Sequence, residues 1–107
     1  NVRRAEVDPS GENLYVASLE GLRHYRINSA TGAVAAAAVP LYATPSAATS
    51  RDVTVDPIGR FLYLATSFRA AGGTAPGYLL SYTIGTGGTL TETGQISVSS
   101  FGVVTSP

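Results

Sequence analysis

The sequence predicts an all-β chain made of two copies of one unit. The first observation is a repeated segment: residues 7–18 read VDPSGENLYVAS, and residues 55–66 read VDPIGRFLYLAT. The second observation is a hairpin-turn signature, Asp-Pro-x-Gly, which stands near the start of each copy at 8–11 and 56–59. A turn signature followed by a short run of Leu, Tyr and Val is typical of a β-hairpin.

The turn signature has a physical basis at each keyed position. Asp at the first position can accept a hydrogen bond from a nearby backbone N–H, Pro presets φ, and Gly adopts a positive φ at little cost. We therefore expect Asp8 and Asp56 to cap their turns. The alternative is a ring of carboxylates that holds a cation, but Ca²⁺ needs six to eight oxygen ligands and the sequence has no dense acidic loop, so no metal is predicted.

The strand after each turn is apolar on both faces. Alternation places Leu14 and Val16 on one face and Tyr15 and Ala17 on the other. A sheet of such strands must be covered on both sides, as in a sheet packed between two others.

The spacing of the repeat indicates the architecture. Pro9 recurs as Pro57, 48 positions later (57 − 9), and the final residues, 102–107 (GVVTSP), approach the same turn again. A period of about 40–50 residues with several short strands per unit is typical of β-propeller blades.

In chain order, four strands are predicted for the first unit, at 4–7, 13–18, 22–27 and 33–39. The fourth strand is rich in Ala, and Pro40 at its end indicates an edge strand. Four further strands are predicted for the second unit, at 52–55, 61–66, 78–84 and 89–97.

The repeat divides the chain into three predicted parts. Residues 1–50 form propeller blade 1 with its linker, residues 51–98 form propeller blade 2, and residues 99–107 supply the first strand of a further blade. Two blades would leave two bare faces, so either copies of the chain assemble into a ring or the chain is a piece of a longer propeller.

Composition excludes several partners. The chain has 107 residues, seven Arg, no Lys, seven acidic residues and zero net charge, so neither nucleic acid nor an anionic membrane surface is an expected partner. There is no Cys, which excludes disulfides and thiolate metal sites. The sequence leaves the cellular compartment undetermined, and an extracellular or periplasmic location is favoured over a cytoplasmic one.

The repeated residues, Val-Asp-Pro-x-Gly-x-x-Leu-Tyr-aliphatic-Ala followed by Tyr-x-Ile (Tyr25 to Ile27, Tyr82 to Ile84), resemble a known family. They are similar to the blades of lactonase-type seven-bladed propellers, which include bacterial 6-phosphogluconolactonases and YVTN-repeat surface proteins. The resemblance implies a propeller of about seven blades with a site at its central channel. It carries over no catalytic residue.

The candidate ligand-binding residues are Arg4, Arg51 and Asp52, which begin the predicted innermost strands and would line a channel. His24, the only histidine, is predicted to lie on the surface or between blades. The Gly-rich connection 67–77 is the largest departure from the repeat, and it is either a recognition loop or a plain connector.

Three functions follow from these observations. The preferred one is a β-propeller module or fragment that acts as a binding scaffold, without a cofactor. The alternatives are a sugar-lactone hydrolase that is active only in a completed propeller, and a cell-surface repeat protein. The expected partners are further blades, from the same chain or from other copies, with a small anionic or sugar ligand as a further possibility.

Overall fold

A computed structural model of the chain describes residues 2–44, 50–66 and 77–98. The described residues form two four-stranded antiparallel sheets, so the predicted all-β class is confirmed. The first sheet contains β1 (Val2–Val7), β2 (Asn13–Ser18), β3 (Gly21–Ile27) and β4 (Val34–Tyr42). The second contains β5 (Ser50–Val55), β6 (Phe61–Thr66), β7 (Gly77–Ile84) and β8 (Leu90–Val98), with a 3-10 turn at Thr86–Gly88.

Both sheets are meanders in which each strand pairs with the next in sequence. The two Asp-Pro-x-Gly turns have the same geometry. Gly11 and Gly59 have φ values of +77° and +85°, and each donates its N–H to the carbonyl of the turn's Asp at 2.9 Å. The repeated sequence therefore produces repeated local structure.

The fourth strand departs most from its prediction, since it runs to Tyr42 and contains Pro40. The strand is the outer edge of the first sheet, and its pairing with β3 shifts between Arg23 and Tyr25. An edge strand tolerates Pro because the missing N–H costs no hydrogen bond to an inner neighbour. The predicted edge position of this strand is confirmed.

The two sheets stack face to face, and the core lies between them. Tyr15, Ala17 and Leu22 of the first sheet are fully buried there. They belong to one cluster with residues of the second sheet, namely Val53, Leu62, Leu64, Leu80, Tyr82 and Leu90.

Three segments are described only in part or not at all. The strand expected within 99–107 lies outside the described residues, as do 67–76 of the Gly-rich connection and 45–49 of the link between units.

Candidate functional site

The outer face of the second sheet is an exposed apolar surface. Pairing across the strands places Tyr63 beside Ser81, and Ala65 beside Leu79, which is in turn beside Ile96. We call this surface the Tyr face. It consists of Tyr63, Ala65, Leu79, Ser81 and Ile96.

The Tyr face borders an open hollow of about 510 Å³. Tyr63, Leu79 and Ile96 are 46, 43 and 63% exposed. Three large apolar side chains on one sheet face form a continuous patch, and such patches usually mark an interaction surface.

The first sheet has its own outer face, which we call the Leu face. It consists of Val7, Leu14, Val16, Tyr25 and Ile27, which share one side of strands β1 to β3. Val7 is 51% exposed, Leu14 and Tyr25 are half-buried, and Val16 is buried. Each sheet thus has one face packed in the core and one outer apolar face.

Two of the three sequence-predicted site residues meet in the structure. Arg4 Nε lies 3.4 Å from Asp52 Oδ1, and this ion pair joins β1 of the first sheet to β5 of the second. Both side chains are about 60% exposed, so the pair contributes little to stability. Asp52 also lines the edge of the hollow.

Arg51 is exposed and forms no ion pair with a described residue. It lies where the pairing of β5 with β6 is irregular, between Ser50 and Asp52. Among the described residues, the ion pair therefore joins two of the three candidates and not the third.

The structure contains a buried polar cluster that the sequence did not predict. Asp8, which is 7% exposed, accepts hydrogen bonds from the hydroxyl of Ser10 and from the backbone N–H and side-chain amide of Asn13. Asn13 Oδ1 in turn accepts from His24 Nε2 and from Arg26 Nη1, both at 2.8 Å.

This network determines that the Nε2 atom of His24 carries a proton. Asn13 Oδ1 is the acceptor for Arg26, so His24 Nε2 must donate to it and carries a proton. Burial lowers the pKa of His24, and the Arg26 guanidinium lowers it further, while Asp8 opposes both effects. His24 also stacks on Tyr15 with 4.7 Å between ring centroids.

The polar cluster joins the two sheets. Arg26 Nη1 donates to the carbonyl of Gly87 at 2.9 Å, and the Tyr15 hydroxyl donates to the carbonyl of Gly88 at 2.7 Å. Gly88 has φ +81° and lies against the Asn13 side chain, so a Cβ would have no room there. Burial raises the pKa of Tyr15 well above its usual value, so its hydroxyl stays a donor.

The cluster does not have the arrangement of a nucleophilic triad. Asp8 reaches His24 only through Asn13, and the hydroxyl of Ser10 donates to Asp8 rather than to the imidazole. A triad needs the base to contact both the nucleophile and the orienting carboxylate.

His24 was predicted to lie either on the surface or between units. The structure places it in a buried position between the sheets.

The predicted role of Asp8 and Asp56 in capping their turns is confirmed. Asp56 Oδ1 accepts from the N–H groups of Arg60 and Phe61, four and five residues along the chain, at 2.7 and 3.0 Å. The N–H of Phe61 is the main cause that lowers the pKa of Asp56. Asp8 binds the N–H of Asn13 in the same way.

One signal in the sequence could have revealed the polar cluster. Where the first unit has Asn13, His24 and Arg26, the second has Phe61, Ser81 and Thr83. A departure from the repeat at three positions on one face marks the place where the two sheets have different neighbours.

Within the described ranges, no three His, Asp or Glu side chains converge as a metal site would require. In the same part of the chain there is no helix with the length and hydropathy to cross a membrane. Comparison of the chain with family models, curated proteins and solved structures found no match.

Proposed function

We propose that this chain is a β-propeller module that acts as an interaction scaffold, and that its partners are further blades of the same kind. In this proposal each four-stranded sheet is one blade. The Tyr face and the Leu face are then surfaces on which neighbouring blades stack.

The observation that carries the proposal is the environment of equivalent residues in the two units. Tyr15, Ala17 and Leu22 are fully buried between the sheets. Their equivalents under the repeat, Tyr63, Ala65 and Leu79, form the Tyr face, where Tyr63 and Leu79 are more than 40% exposed. The same side chains on the same strand face are therefore covered in one unit and open in the other.

Burial of the Tyr face against a neighbouring blade would be favourable in free energy. Complete burial of a Leu or Ile side chain stabilises a structure by about 1.5–3 kcal/mol, and a small domain buries a smaller fraction of its surface on folding than a large one. In repeat architectures each unit is stabilised mainly by its neighbours. A further blade on the Tyr face would supply the apolar neighbour that the second sheet lacks.

The side chains of the polar cluster are occupied in ways that suit a scaffold. Asp8, Asn13, His24 and Arg26 satisfy one another or bind backbone carbonyls across the sheets. No described contact favours the sugar-lactone hydrolase or the cell-surface repeat protein, so both stay alternative predictions. The exposed Arg51 is the group that would bind a small anionic ligand.

A single polypeptide that contains two copies of the chain, joined by a Gly/Ser linker, tests the proposal. A flexible linker gives an effective concentration in the millimolar range, so even weak stacking should be populated. We expect one cooperative thermal transition at a higher Tm than that of the single chain.

The matched controls are two substitutions, each made in both copies of the tandem so that no Tyr face is left unblocked by the first of them. Leu79→Arg lies on the Tyr face and should return the Tm to the single-chain value. Leu19→Arg, in the turn between β2 and β3, replaces a Leu that is equally exposed, at 42%, and should leave the tandem Tm unchanged. A tandem that melts at the single-chain Tm would contradict the scaffold proposal.

A further inference from the structure

The interface inside the chain joins two different faces. The first sheet contributes the face that carries Tyr15, Ala17 and Leu22. The second sheet contributes the face that corresponds, under the repeat, to the outer face of the first sheet. Leu62, Leu64 and Tyr82 are among the second sheet's buried residues in this interface, and Val55 and Ile84 are partly buried against them.

The repeat reproduces both of these faces on the outside of the molecule. The Tyr face contains the equivalents of Tyr15, Ala17 and Leu22. The Leu face contains the equivalents of the second sheet's packed residues, since Val7, Leu14, Val16, Tyr25 and Ile27 occupy the positions of Val55, Leu62, Leu64, Tyr82 and Ile84.

We propose that the Tyr face of one copy of this chain binds the Leu face of a second copy, in the geometry that joins the two sheets within the chain. This inference rests on the proposed function and adds the identity of the partner. The contact is head-to-tail, because each face complements the other kind and not itself. Repetition of such a contact closes a ring if the rotation between copies permits it.

The charges at the inner edge of the sheets suit this contact. Arg4 and Asp52 occupy equivalent positions in the two units and form an ion pair with each other. Continuation of the same geometry places Asp52 of one copy beside Arg4 of the next. The charges then alternate in sign around the assembly, and no two like charges meet.

The contact between copies differs from the internal one at several positions. Ala5 stands on the first sheet where the second has the buried Val53, so the outer face is smaller there. Arg23 stands on the first sheet where the second has Leu80, and its guanidinium turns to Glu20 at 3.4 Å. Its aliphatic stem can cover apolar surface while the charged end stays at the rim. The equivalents of Asn13 and Arg26 are Phe61 and Thr83, so the contact between copies is less polar than the internal one.

Two complementary variants test the head-to-tail contact. Leu79→Arg blocks the Tyr face, and Val7→Arg blocks the Leu face. Both native side chains are about half exposed, so the fold of the single chain should tolerate the changes, and circular dichroism checks this. Leu19→Arg is the control outside both faces.

Analytical ultracentrifugation of the whole chain over a range of concentrations gives the readout. We expect the wild type and Leu19→Arg to form species of several chains of 11.0 kDa each. Either blocked variant alone should stay monomeric, with an apparent dissociation constant raised at least about 30-fold because an unpaired charge would be buried. An equimolar mixture should form a species of two chains and nothing larger.

The mixture separates the proposal from its rivals. A contact between two like faces would leave one of the two variants able to pair with itself, because each variant blocks only one surface. Self-association of either variant measured alone would therefore contradict the head-to-tail contact. A wild type that stays monomeric at high concentration, or a mixture that stays monomeric, would overturn the second copy as the partner. If the tandem chain still stacks in that case, the scaffold proposal stands and the partner is a blade of the same polypeptide; if the tandem also fails, both proposals fall.

Discussion

Leu22 and Leu79 stand at equivalent positions in the two sheets and have opposite surroundings. Leu22 is fully buried against the second sheet, while Leu79 is 43% exposed. The same contrast holds for Tyr15 and Tyr63, which are 0 and 46% exposed. The comparison shows that the repeat determines which side of a strand a residue occupies, and that burial depends on what lies opposite.

The paired substitutions Leu22→Ala and Leu79→Ala should show the largest difference. Removal of the buried Leu22 side chain leaves a cavity and should lower the free energy of unfolding by about 3 kcal/mol, while removal of Leu79 should cost about 0.5 kcal/mol. Urea denaturation at low protein concentration measures both values. Equal losses at that concentration would show that the Tyr face is already covered within the single chain.

The two glycines of the 3-10 turn test the contact between the sheets. Gly87→Ala places a side chain at φ +71° with nothing within 4 Å and should cost about 1 kcal/mol. Gly88→Ala has the same backbone strain, and its Cβ would also collide with Asn13, so we expect about 2 kcal/mol more. Thermal melts of both variants check this, and equal Tm values would mean that the turn moves away from Asn13 at no cost.

The two tyrosine hydroxyls provide a smaller test. Tyr15→Phe removes the buried donor to the carbonyl of Gly88 and should cost about 1 kcal/mol. Tyr63→Phe removes an exposed hydroxyl and should leave the stability of the single chain unchanged within about 0.5 kcal/mol. Chemical denaturation measures both changes in the free energy of unfolding. A larger loss for Tyr63→Phe than for Tyr15→Phe would contradict the greater contribution expected of the buried hydroxyl.

His24 should make the stability of the chain depend on pH. Ser81, its equivalent in the second unit, does not titrate and makes no such contribution. The folded chain holds the pKa of His24 below its ordinary value of 6.5, so the unfolded state binds the proton more readily. Stability is therefore complete above pH 6.5 and is lost as the pH falls from 6.5 toward the folded pKa. His24→Phe, which removes the only histidine, should flatten the profile in that window, and an unchanged profile would assign the dependence to other groups.

The smallest effect concerns the exposed ion pair. Arg4→Asp or Asp52→Arg alone should cost at most about 0.5 kcal/mol, and the two together should restore the wild-type stability, since they restore opposite charges. Added salt at about 1 M should erase the cost of either single change. A double variant no more stable than the singles would show that the pair makes no specific contact.

Much of the local structure follows from the sequence. The strands Asn13–Ser18 and Phe61–Thr66 begin and end where the repeat predicts, because the Asp-Pro-x-Gly turn fixes the register of each hairpin. The strand with Pro40 was less predictable, because its irregular pairing depends on the edge position and not on local preference. Of the candidate site residues, Arg4 and Asp52 meet in an ion pair, while Arg51 is exposed and forms no ion pair with a described residue; their role in ligand binding stays a prediction.

The sequence by itself determined the all-β class, the two equivalent units and the two apolar faces of each central strand, because turn chemistry and period-2 alternation act within a few residues. Only the tertiary structure decided which face of each sheet is covered, and that Asp8, Asn13, His24 and Arg26 become one hydrogen-bonded network against Gly87 and Gly88. The physical reason is distance along the chain. The carbonyls that Tyr15 and Arg26 bind lie more than sixty residues away, and local preference carries no information about a partner that far along the chain.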